Sequence, residues 1–111
     1  MKRDEIYDAL ADSGLSVTYL QWPEKAVPAL PYICYYFPTS NNFGADNSVY
    51  APINRLIVEL YTKNKDFATE AIVEEQLGKI TGFWNKSETY LDSEEMYEVL
   101  YESEVTIQDG E

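Results

Sequence analysis

Val49-Tyr50-Ala51-Pro52-Ile53-Asn54-Arg55-Leu56-Ile57-Val58-Glu59-Leu60-Tyr61-Thr62 reads as one long strand, bent near Pro52. Leu56, Val58 and Leu60 point one way, and Arg55, Ile57, Glu59 and Tyr61 the other, which is the two-residue period of a pleated chain. Upstream, Pro31 to Phe37 is a second strand, with Tyr32, Cys34 and Tyr36 on one side and Ile33, Tyr35 and Phe37 on the other. A strand apolar on both sides is expected to be covered on both sides. Between the two lies Thr39 to Ser48, a turn-rich hairpin loop carrying one aromatic, Phe43.

The pattern continues outward from this pair. Residues 2–13 have amphipathic helical spacing, with Ile6, Leu10 and Ala9 or Tyr7 on one face, and Ser13-Gly14 as a stop. Leu15 to Trp22 alternates loosely, and the proline-rich segment from Pro23 to Pro31 is a loop or an edge excursion. Downstream, Lys63 to Asp66 is a turn in which Asp66 or Asn64 would cap a helix over Phe67 to Ile80, with Gly82 just past its end. Phe83 to Leu91 is a strand and Asp92-Ser93-Glu94 a turn. Met96, Val99, Leu100 and Ser103 keep helical spacing, but Tyr97, Val99, Tyr101, Val105 and Ile107 alternate over a longer stretch, which favours a strand.

The order is α-β-β-β-α-β-β, an α+β domain with a small, mainly antiparallel sheet and two helices. Its 111 residues suit one domain with one core, taken as about residues 4–107. Two helices cover one face of such a sheet, while the opposite face still carries apolar groups. Either the strands curl into a second layer or another subunit covers that face.

Composition narrows the chemistry. Histidine is absent, which removes the usual general base, imidazole ligand and triad partner. The single cysteine, Cys34, rules out an internal disulfide and a cysteine zinc site, and its apolar surroundings mark it as a buried, inert thiol. No phosphate loop, nucleophile–base pair or metal spacing occurs, and Asn41, Asn42, Asp46 and Asn47 lack the alternating ligands and terminal glutamate of an EF-hand. The expectation is no catalysis, no cofactor and no metal. No apolar stretch approaches a membrane span, and no secretory signal is visible.

Ten tyrosines stand beside four phenylalanines and two tryptophans. Such an excess suits either a half-wet sheet or a surface that becomes an interface. Twenty acidic residues against eight basic ones give a formal net charge of −12, which repels nucleic acid and attracts basic partners. After Lys86 there are nine acidic residues and no basic one. If the last segment is a strand, Glu94, Glu98, Glu102 and Glu104 project from one face, which must be wet because unpaired like carboxylates resist burial. A plain solvated face, a lining along which DNA slides and a mimic of DNA phosphates all fit that pattern.

Several segments together resemble a known family. They are Leu30-Pro31-Tyr32-Ile33 with Tyr35, Asn42-Phe43-Gly44-Ala45-Asp46-Asn47, Val49-Tyr50, and Ile53-Asn54-Arg55 running into Val58-Glu59-Leu60-Tyr61-Thr62. Lys65-Asp66, Lys86-Ser87-Glu88-Thr89-Tyr90 and Met96-Tyr97-Glu98-Val99 with Tyr101-Glu102 follow. The chain resembles, over roughly residues 1–107, the tail-completion (tail-terminator, head–tail joining) proteins of long-tailed phages and prophages of Gram-positive bacteria. That resemblance implies a homo-oligomeric ring, commonly a hexamer, capping the tail tube and docking to the head connector, with no cofactor and no catalysis. It implies a tail-tube protein and a head-connector protein as partners, and a place at the head–tail junction of the virion after assembly in the host cytoplasm. The free protein is expected to self-associate weakly or not at all, with no affinity for DNA. Asn42, Phe43, Asp46, Asn47, Tyr50 and Tyr35 are candidate partner contacts, and Glu94, Glu98, Glu102 and Glu104 the acidic face. The alternative is an acidic inhibitor of the anti-restriction or anti-CRISPR type that mimics DNA phosphates.

Overall fold

The computed structural model describes residues 1–40, 43–45 and 48–107, and for 43–45 and 48–51 the backbone alone. The elements are α1 (Arg3–Ala11), β1 (Ser16–Tyr19), β2 (Tyr32–Tyr36), β3 (Phe43–Ala45), β4 (Ser48–Ala51), β5 (Ile53–Thr62), α2 (Phe67–Ile80), β6 (Trp84–Leu91) and β7 (Met96–Thr106). A five-stranded sheet runs β1-β2-β5-β7-β6, and β3 with β4 forms a separate two-stranded sheet. β1 lies parallel to β2, and the other pairs are antiparallel. The α+β class and the mainly antiparallel sheet are as the sequence pattern indicates.

The expected long strand is divided at Pro52, where β4 ends and β5 begins. Proline has no N–H to give to a ladder, so a break there is natural. β5 is the central strand, and Leu56, Val58 and Leu60 on one of its sides are fully buried. They meet Val99, Tyr101 and Val105 of β7, Ile33 and Tyr35 of β2, Ile6, Ala9 and Leu10 of α1, and Val73, Leu77 and Ile80 of α2 in one core. Both helices therefore cover the same face of the sheet. Met96–Thr106 is a strand because ten of its residues pair in register with β5, from Thr62↔Tyr97 to Ile53↔Thr106. That long ladder outweighs the local helical spacing.

Local signals set the helix ends. Asp66 caps α2, with Oδ1 accepting from the Thr69 N–H at 3.0 Å and Oδ2 from the Thr69 hydroxyl at 2.7 Å. Those bonds to Thr69 hold its carboxyl below the usual aspartate range. Beyond α1, Gly14 takes φ +86°, a left-handed conformation that glycine adopts without strain.

One buried charge anchors α2 to β6. Glu70 is 1% exposed, and Lys65 and Lys86 reach it from either side. Lys86 also meets Glu74, whose carboxylate accepts from the Tyr101 hydroxyl at 2.8 Å. Burial alone would raise the Glu70 carboxyl, but hydrogen bonds from Lys65 and Lys86 bring it below its ordinary value.

Candidate functional site

The face of the sheet away from the helices follows from the register. β2 contributes Tyr32, Cys34 and Tyr36, and β5 contributes Arg55, Ile57, Glu59 and Tyr61. β7 adds Glu98, Leu100, Glu102 and Glu104, and β6 adds Asn85, Ser87 and Thr89. None of these side chains belongs to the helix-covered core. Even so, Ile57 is 3% and Cys34 4% exposed, while Glu59, Tyr61, Glu98, Leu100 and Glu102 are half-buried. This face combines apolar floor, tyrosine rings and carboxylates.

Its electrostatic centre is a carboxyl pair. Glu59 lies opposite Leu100, one diagonal step from Glu98, and Tyr61 lies directly opposite Glu98. The Tyr61 hydroxyl donates to Glu98 Oε2 at 2.8 Å and also supports Glu59. Burial first, and then the charge of Glu98, push the Glu59 carboxyl upward; the Tyr61 hydrogen bond offsets part of this. The same surroundings push the Cys34 thiol up to about 11, through burial and then the charges of Glu59 and Glu98. A thiol so placed stays protonated and is a poor nucleophile. Arg55 pairs with Glu102 at one end of the face.

Depressions flank this centre. One, of about 370 Å³, lies between Arg55, Glu102, Glu104, Asn85 and the Thr81-Gly82-Phe83 segment. The other, of about 300 Å³, is lined by Trp22, Tyr32, Cys34, Tyr61, Met96 and Glu94. Among the described residues no group of three or more acidic or cysteine side chains is arranged to hold a metal.

Of the residues singled out from sequence, Glu98, Glu102 and Glu104 do share the open face. Glu94 does not sit on β7 but in the turn Asp92–Glu95 that precedes it, because β7 starts at Met96. The expectation of a wholly wet row also changes. Glu104 is exposed, whereas Glu98 and Glu102 are half-buried, held by Tyr61 and Arg55. Tyr35 lies on the helix-covered face, 8% exposed, its ring edge-on to Tyr19 at 5.4 Å. Asn42, Asp46 and Asn47, and the side chains of Phe43 and Tyr50, fall outside the described residues. Glu59 and Tyr61 were missed as site residues. Their outward direction was readable from the alternation, but only the strand register brings them to Glu98.

A virion protein has the same fold. A chain from a structure described as the virion of a native gene transfer agent (GTA) particle superposes with a TM-score of 0.64 over 91% of this chain and 91% of that one. The two sequences are 14% identical, so the likeness is one of fold. No family model matches the chain, and no curated protein does.

Proposed function

We propose that this chain is a non-enzymatic structural subunit of a phage or phage-like virion. In this proposal it completes the tail tube and joins tail to head as one copy of a ring at the junction, with a tail-tube protein and a head-connector protein as neighbours. The observation that carries the proposal is the near full-length fold likeness to a chain of a gene-transfer-agent virion. The sheet face away from the helices supports it, since Leu100, Tyr36 and Tyr61 stand there half-buried, with neither helix of the described residues over them. The exposed Phe83, beside the edge strand β6, offers a further contact for a neighbouring copy.

Deleting the gene and imaging the particles tests this. The expected result is DNA-filled heads together with unattached tails of abnormal length. Normal infectious particles from the deletion would overturn the proposal. The phosphate-mimic alternative predicts that same normal assembly, together with loss of binding to a basic host protein, so one experiment separates the two.

A further inference from the structure

We infer that the open face of the sheet is a docking surface for an extended, lysine- or arginine-bearing segment of a neighbouring protein. This names the chemistry of a partner and so deepens the assembly proposal, but it is testable on the purified chain alone.

Three properties of the face select that occupant. The first is its layout: half-buried Glu59 and Glu98 alternate with half-buried Tyr61 and Leu100 across two adjacent strands. An extended segment alternating basic and apolar side chains matches that period of two, whereas a purely basic coil would leave the apolar floor unused.

The second is charge. The face carries Glu59, Glu98, Glu102 and Glu104 on β5 and β7, against Arg55, which is already paired with Glu102. Burial and then the charge of Glu98 raise the cost of ionising Glu59, and Tyr61 supplies a neutral hydroxyl rather than a cation. A cation arriving between them relieves that repulsion, so complementarity here adds affinity as well as steering.

The third is exclusion of other occupants. A second copy placed face to face would bring the same carboxylates together. The chain also has little basic surface to offer elsewhere, with eight lysines and arginines against twenty acidic residues, and Lys65 and Lys86 are engaged by Glu70. Nucleic acid is repelled for the same reason.

The test is to titrate the isotopically labelled protein with an octapeptide alternating lysine and leucine, following the backbone amides by NMR. An all-lysine octapeptide and a short DNA duplex serve as comparisons. The expected result is shifts confined to β2, β5 and β7, weaker binding by the all-lysine peptide, and none by the duplex. Binding should fall about tenfold or more in Glu59→Gln with Glu98→Gln. It should change by less than about threefold in Asp8→Asn with Asp12→Asn, which removes equal charge from the other side, and should weaken with salt in both proteins. Shifts spread over α1 and the whole acidic surface, equal loss in the two double variants, or binding of the duplex to this face would each overturn the inference. The wild-type shift map stands as a test even if a variant fails to fold. Its failure would leave the deletion experiment above, and the assembly proposal with it, unaffected.

Discussion

Lys86 Nζ of β6 lies 2.8 Å from Glu70 Oε1 of α2, a carboxylate that is 1% exposed. A charge this buried is tolerable only with its partners in place. Glu70→Ala would remove the buried partner of Lys65 and Lys86, which keep Glu88 and Glu74, and should cost about 1–2 kcal/mol, read as a fall in the urea midpoint. The pH dependence has a definite sign. The folded value of Glu70 lies below its ordinary 4.5, so its stabilising contribution is present above pH 4.5 and is lost as pH falls through the folded value. Wild type should therefore lose stability on acidification in that window, and Glu70→Ala should lose less.

Glu59 predicts the opposite slope. Cys34 and Tyr36 face it from β2, and Glu98, Tyr61 and Arg55 lie around it on β7 and β5. Its folded value is raised, so its contribution is fully present below pH 4.5 and is lost as pH rises through the folded value. At neutral pH the ionised Glu59 is a net cost. Glu59→Gln should raise Tm at pH 7 by about 2–4 °C and by much less at pH 4. An equal rise at both pH values would show that Glu59 is not held up by its surroundings.

Gly14 offers a local check. A Cβ built there meets nothing within 4 Å, so Gly14→Ala is resisted only by the backbone at φ +86°. The expected loss is about 1 kcal/mol, measured by denaturant unfolding.

The segment 40–48, read from sequence as a hairpin loop but containing β3, is the place where function and stability should come apart. Its turn-forming composition is that of a connecting segment, and such segments commonly carry contacts. Phe43→Ala with Asp46→Ala should leave Tm nearly unchanged and abolish head–tail joining in complementation. A collapsed Tm with joining otherwise preserved would make the loop structural instead.

Much of the fold was legible because its strongest signals are local. The alternation at Leu56, Val58 and Leu60 marked the buried side of β5, and Asp66 followed by an apolar run marked α2. β1 was visible only as loose alternation, since its four residues owe their conformation to parallel pairing with β2. Glu94 was assigned to the acidic face by carrying the alternation back past Met96 into the turn that already held it, which runs to Glu95 at φ +52°. Nothing local requires that of a glutamate. The candidate site was the least legible part. The pairing of Glu59 with Glu98 joins residues of different strands, and register is a property of the whole sheet.

The central claim, that this chain is a virion structural subunit at the head–tail junction, is most directly tested by cryo-electron microscopy of purified particles from cells carrying its gene. The expected result is a ring of copies between tail tube and connector, each with α1 and α2 on one face of the β1-β2-β5-β7-β6 sheet. In each copy, basic side chains of a neighbouring protein should lie against Glu59 and Glu98. Infectious particles whose junction is complete and contains no copy of this chain would contradict it.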